Sequence, residues 1–271
     1  MCEFCVSHGE GKKWYENMAN YSREVFLQVN SEERLRHFLF HFGESMRNGL
    51  QRAEDWRRRL PRLYDLLAYP VISRRQKKNH FGQIIPIEDV EGILDRVQSI
   101  VRLPCICRKV STGQVRRCCY GVGLDLTHLL ADQPDFRDFD RIGRDEAKAE
   151  MRDLDGQGMT HSVWTFQTPF IGAICNCDQD CMAYKIQYER QLARVMWKAE
   201  YVAVVDSERC KGCKRCRTIC PFAAVVFDRR RKKCEITAAL CYGCGVCRAV
   251  CEEGAISLWE RGLVPGGAGR W

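Results

Sequence analysis

Cys210, Cys213, Cys216 and Cys220 form the pattern C-x2-C-x2-C-x3-C, and Cys241, Cys244, Cys247 and Cys251 repeat it 31 residues later. The same offset carries Gly212 onto Gly243, Ala224 onto Ala255, and Val225-Val226-Phe227 onto Ile256-Ser257-Leu258. A whole unit is therefore duplicated, a loop of ligands that ends in a strand. The other thiols are grouped as well. Of 18 cysteines, Cys2 and Cys5 open the chain, none lies between residues 6 and 104, seven fall between 105 and 181, and Cys234 sits between the two repeats. A chain of 271 residues needs no disulfide scaffold to fold, so grouped thiols point to metal or redox chemistry. The first residues lack the basic and then apolar run of a secretory signal. The longest uncharged stretch, 156–177, holds Gln157, His161, Gln167, Pro169 and Asn176, which a bilayer core would not accept cheaply. The expectation is a cytoplasmic protein with no membrane span.

A 4Fe-4S cube has four iron corners, each wanting one thiolate. Three cysteines spaced two residues apart can wrap three corners from one tight loop, and the fourth corner needs a distant donor. In the bacterial run the last cysteine of each motif reaches the other cluster. That rule gives cluster one Cys210, Cys213, Cys216 and Cys251, and cluster two Cys241, Cys244, Cys247 and Cys220. Zinc sites use two well-separated C-x-x-C pairs instead of two four-cysteine runs. With Val202-Ala203-Val204-Val205-Asp206 as a first strand and Cys220-Pro221-Phe222-Ala223-Ala224 closing the first motif, residues from about 201 to 260 resemble a bacterial two-cluster 4Fe-4S ferredoxin. The resemblance implies a pseudo-twofold βαββαβ domain, two 4Fe-4S clusters and one-electron transfer between them. Glu252 departs from the family, standing where proline is usual.

Charge suggests a partner. Residues 201–271 carry 13 Lys and Arg against 7 Asp and Glu, and each oxidised cube with its four thiolates adds roughly −2. The module would stay basic, with Lys211, Lys214, Arg215 and Arg217 at the first ligand loop and a basic turn at 229–233. A solvated rim explains the turn. The loop charges suit docking on the acidic face of a redox enzyme, with an attraction that weakens in salt.

Upstream, Val90, Ile93, Leu94, Val97 and Val101 fit one helix face between Pro86 and Pro104. A second helix is expected from about Asp145 to Leu154, and a strand through 158–164. The arrangement Pro104-Cys105-Ile106-Cys107-Arg108, then Cys118-Cys119 beside a glycine, then Gly158-x-x-His161 and Ile174-Cys175-Asn176-Cys177 is similar to the N-terminal region of uncharacterised ferredoxin-like proteins of anaerobes. Cys105, Cys107, Cys118, Cys119, Cys175, Cys177 and Cys181 could converge on a third site, an iron–sulfur cluster or zinc, since thiolates favour soft metals. Buried packing is the competing explanation for such thiols. It is the preferred one for Cys234, and His161 reads as a hydrogen-bonded structural residue.

At the N-terminus, Cys2-x-x-Cys5-x-x-His8 lacks a fourth ligand of its own. Asn30-Ser31-Glu32-Glu33 reads as a helix start, and Leu35, Phe38, Leu39, Phe42 and Met46 form a stripe read as bundle core. A second helix is expected from about Leu50 to Ala68, stopping before Pro70. The basic runs Arg57-Arg58-Arg59 and Arg74-Arg75-Gln76-Lys77-Lys78 lack the interleaved aromatics of a nucleic-acid surface.

The resulting expectation is an α+β chain with a mainly helical N-terminal region (1–79), a cysteine-rich mixed α/β domain (80–200), the two-cluster domain (201–260) and a flexible tail (261–271). Its function would be single-electron transfer to or from a partner redox enzyme, as a carrier or redox subunit more than a stand-alone enzyme. An oxidoreductase with a catalytic site in the middle domain is the first alternative, and a basic metal-stabilised nucleic-acid binder the second.

Overall fold

The computed structural model describes residues 13–129 and 139–267, and it is of mixed α and β structure. Cys2, Cys5 and His8 lie outside the described residues.

Two serines start the first helices. Ser22 and Ser31 accept hydrogen bonds from the backbone N–H of Val25 and Arg34, capping α1 (Arg23–Val29) and α2 (Glu32–Arg59). α2 runs unbroken for 28 residues, through the point near Leu50 where a separate helix was expected. The chain then passes through a helical piece, Pro61–Leu63, and a π turn, Tyr64–Ala68, into α3 (Tyr69–Asn79). Pro70 does not stop the helix as expected. It follows directly on the π turn inside a continuous helical run, where Ala68 and Tyr69 keep right-handed helical backbone and the wider turn takes up the proline.

Next come β1 (Gly82–Ile84), α4 (Ile87–Leu94), β2 (Ile100–Pro104), α5 (Ile106–Thr112), β3 (Arg117–Val122), β4 (Asp140–Arg141), α6 (Arg144–Gly156), β5 (Thr160–Thr165), β6 (Ile171–Cys177) and β7 (Met196–Trp197). The expected helix up to Val101 is thus cut short at Leu94. Ile100 and Val101 pair instead with Val122 and Gly121 of β3, and β-branched residues pack well on a pleated surface. The seven strands form one sheet in the order β4-β2-β3-β6-β5-β1-β7. Every pairing is antiparallel except that of β1 with β7. On one face, Val90, Ile93 and Leu94 of α4 and Ala147, Met151 and Leu154 of α6 pack against Tyr120, Val122, Val163 and Ile174. Leu35 of α2 joins a separate apolar cluster with Phe26, Leu129 and Phe170, flanked by Phe38, Leu39 and Phe166.

The C-terminal module follows the order β8 (Tyr201–Val205), α7 (Arg215–Ile219), β9 (Val225–Asp228), β10 (Lys233–Ile236), α8 (Val246–Ala249), β11 (Ile256–Glu260). β8 pairs with β11 and β9 with β10, both antiparallel. Two seams fasten it to the rest. Buried Asp89 of α4 accepts hydrogen bonds from Tyr15 (2.6 Å), Lys13 (2.8 Å) and Tyr201 (3.3 Å). Arg261, expected in a flexible tail, is 2% exposed and donates to the carbonyls of Ala199, Tyr201 and Cys241.

Candidate metal centres

The ligand loops turn as they do because three pairs of residues, each 31 apart, adopt left-handed backbone: Gly212 and Gly243, Lys214 and Gly245, Ala223 and Gly254. At the first pair the chain demands glycine. A Cβ would lie 2.1 Å from the Lys232 carbonyl oxygen at Gly212 and 2.2 Å from that of Tyr201 at Gly243. These close approaches fold each loop back on the neighbouring strand, so that successive cysteines face inward.

Cys210, Cys213, Cys216 and Cys251 line a single cavity of about 210 Å³, together with Cys234. Cys220 is absent from that lining. A thiolate at Cys220 would instead repel charge on Cys241, Cys244 and Cys247, whose thiols it helps to push up. The last cysteine of the second motif thus shares a cavity with the first three of the other, and Cys220 lies outside that cavity, near enough to Cys241, Cys244 and Cys247 for their charges to interact. Burial pushes the Cys216 thiol up to about 12 and raises Cys244 and Cys247 as well. A bound metal would supply the compensation for ionising them. Backbone donors already aim at sulfur: the Ala203 and Gly243 N–H groups reach Cys241 Sγ at 3.4 and 3.3 Å, and Ala255 N–H reaches Cys251 Sγ at 3.4 Å. Thiolate ligands with N–H groups directed at sulfur are what an iron–sulfur cluster requires. Cys213 is the exposed member of its set, whereas Cys241, Cys244 and Cys247 are buried. Cys234, read as packing, is buried and also lies on the cavity wall beside Cys216.

Glu252 forms an ion pair with Arg215, and Glu253 pairs with Lys211 at 2.7 Å. Two of the four loop cations thus find partners within the chain. Arg57 of the first basic run contacts Asp65 at 3.3 Å and donates to Arg190 O at 2.8 Å, and Arg58 pairs with Asp55 at 2.6 Å.

The seven middle cysteines come together from separate elements. Cys105 caps α5, Cys107 lies within it, Cys118 and Cys119 lie on β3, Cys175 and Cys177 on β6, and Cys181 in the turn beyond. Cys119 stands directly opposite Cys175 in the β3–β6 register. Two threesomes result, with Cys175 as the seventh thiol in contact with Cys119 of the first. The sulfurs of Cys105, Cys118 and Cys119 all lie within 4.8 Å of one another. Cys107 and Cys177 both contact Cys181, with 3.3 Å between the Cys177 and Cys181 sulfurs. Cys105 is held low by the thiols of Cys118 and Cys119, helped by the backbone and guanidinium of Arg108. Cys181 is held low by Cys107 and Cys177. Each threesome therefore has one thiol poised to be a thiolate. Arg108 is buried and clamped by Asp178 at 2.5 Å and Asp180 at 3.3 Å, which holds a positive charge beside Cys105 and Cys118.

His161 does not join them. It pairs with Asn176 at 2.5 Å, and Asn176, between Cys175 and Cys177 on β6, points to the opposite sheet face. Sequence reasoning missed two features of this region. One is a cavity of about 660 Å³ that reaches from α2 and α3 to Cys105, Cys107, Cys119, Cys175, Cys177 and Cys181. The other is His80, on its wall, whose imidazole burial pushes down to about 4 and whose Nδ1 donates to Thr165 O at 2.7 Å.

Residues 203–226 match the 4Fe-4S binding domain family. The matched segment contains the whole first ligand loop, from Cys210 to Cys220. The C-terminal module is accordingly an iron–sulfur domain of ferredoxin type, which supports an electron-transfer role. No curated protein matches the chain. Among the described residues no helix is long and apolar enough to cross a membrane.

Proposed function

We propose that the chain is an iron–sulfur electron-transfer protein with three centres. The C-terminal module holds two 4Fe-4S clusters, one on Cys210, Cys213, Cys216 and Cys251 and the other on Cys241, Cys244, Cys247 and Cys220. The middle cysteines hold a third iron–sulfur cluster. When bound, each cluster exchanges one electron at a time at a potential set by its charge, its hydrogen bonds and its exposure. The chain's own residues supply the rest. Backbone N–H groups at Cys241 and Cys251 favour the more negative, reduced state.

One observation carries this reading. A single apolar core contains thiols of both regions, with Cys177 and Cys181 on one side and Cys244 and Cys220 on the other. Between them Phe222 and Tyr242 stack at 4.1 Å, Tyr188 lies 5.5 Å from Phe222, and Tyr184 donates to Pro221 O. A close-packed connection of this kind suits electron exchange between the second ligand set and the middle thiols. The first set, with Cys213 exposed, suits an external redox protein. Lys214 and Arg217 of the ligand loop are exposed there and favour an acidic partner face.

The large cavity against the middle thiols favours a second reading, an oxidoreductase whose middle site acts on a substrate. Metal and sulfide analysis of anaerobically purified protein tests the main proposal. About twelve irons are expected with all three centres filled. Cys177→Ser/Cys181→Ser should leave about eight, and an unchanged total would remove the third centre.

A further inference from the structure

We propose that the cavity beneath α2 binds a flat, conjugated organic anion, a carboxylate on an aromatic body, with its ring toward the middle thiols. The inference rests on the reading of those thiols as a redox site only for what the bound molecule faces. The cavity itself stands on its own geometry.

Its volume of about 660 Å³, which includes the space beside the six thiols that the third cluster would occupy, leaves room for a small molecule toward the helices, and its lining changes from one end to the other. The inner end is sulfur, as described. The middle is aromatic: the His80 ring lies 4.8 Å from Trp164 and 5.3 Å from Phe166, tilted by 34° and 35°, with Phe38 and Phe42 at 5.6 and 6.0 Å. Rings so arranged favour a flat conjugated body over a bulky aliphatic one. His80 spends its Nδ1 proton on Thr165 O, which leaves Nε2 as the ring's acceptor on the cavity wall.

The outer end is polar and cationic, with Arg34, His37, His41, Arg75, Gln76 and Asn79, and among the described residues no aspartate or glutamate lines the cavity. Arg34 and Arg75 are exposed. Among the described residues neither has a carboxylate within ion-pair distance, whereas Arg57 and Arg58, further along α2, are paired with Asp65 and Asp55. Two unpaired guanidinium groups at the mouth of an apolar cavity match the planar fork of a carboxylate. Of the stripe on α2, Phe38, Phe42 and Met46 line the cavity, together with Leu35, while Leu35 and Leu39 also pack in the cluster with Phe26 of α1.

Equilibrium dialysis of the anaerobic holoprotein with 2-naphthoate tests the inference, with 2-naphthamide as the uncharged isostere and iron counted on the same sample. Saturable binding of about one naphthoate per chain is expected, with the amide bound at least about tenfold more weakly. Arg34→Gln/Arg75→Gln should weaken naphthoate about tenfold and leave the amide unchanged. Absence of saturable naphthoate binding in iron-replete protein overturns the inference and leaves the electron-transfer proposal intact. Equal naphthoate binding by the double variant also overturns it. Naphthoate binding in protein that carries only about eight irons supports the cavity and instead removes the third cluster.

Discussion

In the ligand sets proposed for the C-terminal module, three of each four cysteines come from one seven-residue loop, whereas the middle thiols are collected from α5, β3, β6 and the turn beyond β6. The first arrangement is written locally. Its left-handed turns recur at the same offset as its cysteines, and only the fourth ligand depends on the two halves meeting. The second exists only when the sheet is in register, because Cys119 meets Cys175 through β3–β6 pairing. A one-residue slip would turn Cys119 to the other face. Local ligand loops make a centre that tolerates change elsewhere, and a centre assembled across a sheet is as cooperative as the sheet itself.

The largest effects should come from the thiols. From a parent with about twelve irons, Cys241→Ser/Cys247→Ser and Cys177→Ser/Cys181→Ser should each remove about four, and the losses should add. Metal analysis that finds both pairs emptying the same centre would end the division between regions. Next is Gly243→Ala, in which a new Cβ would fall 2.2 Å from the Tyr201 carbonyl oxygen at a φ of 70°. Strain and overlap together should cost at least about 3 kcal/mol in denaturant unfolding. In the middle region Arg108→Met leaves Asp178 and Asp180 without their partner. A loss of about 2 kcal/mol is expected, since both carboxylates keep some contact with water. Reconstitution of the variant should also yield less middle-site iron, because the cation beside Cys105 and Cys118 is gone. Gly113→Ala provides the smallest effect. Gly113 has a φ of 74° and open space around it, so only backbone strain of about 1 kcal/mol should appear. A Gly113→Ala penalty as large as that of Gly243→Ala would show that close packing at the ligand loop is not what sets the two apart.

The same contrast explains what could be read from the sequence. β8, β11, the ligand loops and the offset pairs were legible because each is fixed within a few residues. The boundary between α4 and β2 was not, since Val97 and Val101 fit a helical stripe as well as they fit their true surroundings. Pro70 looked like a stop signal because nothing in the sequence shows the π turn that lets the helix continue past it. The grouping of seven middle cysteines could be anticipated, but their division into two threesomes, with Cys175 beside Cys119 of the first, follows from strand register. The stripe from Leu35 to Met46 was apolar at helical spacing, which indicates a buried face without indicating what lies opposite. His80 and the cavity had no sequence signal, as both depend on a helix crossing a sheet.

Mössbauer spectroscopy on iron-57-labelled, anaerobically purified protein, with sulfide and zinc measured on the same sample, tests the central claim most directly. The account predicts about twelve irons and matching sulfide, all in cubane-type environments. Zinc in place of iron at the eight C-terminal cysteines, or a preparation devoid of both iron and sulfide, would contradict it.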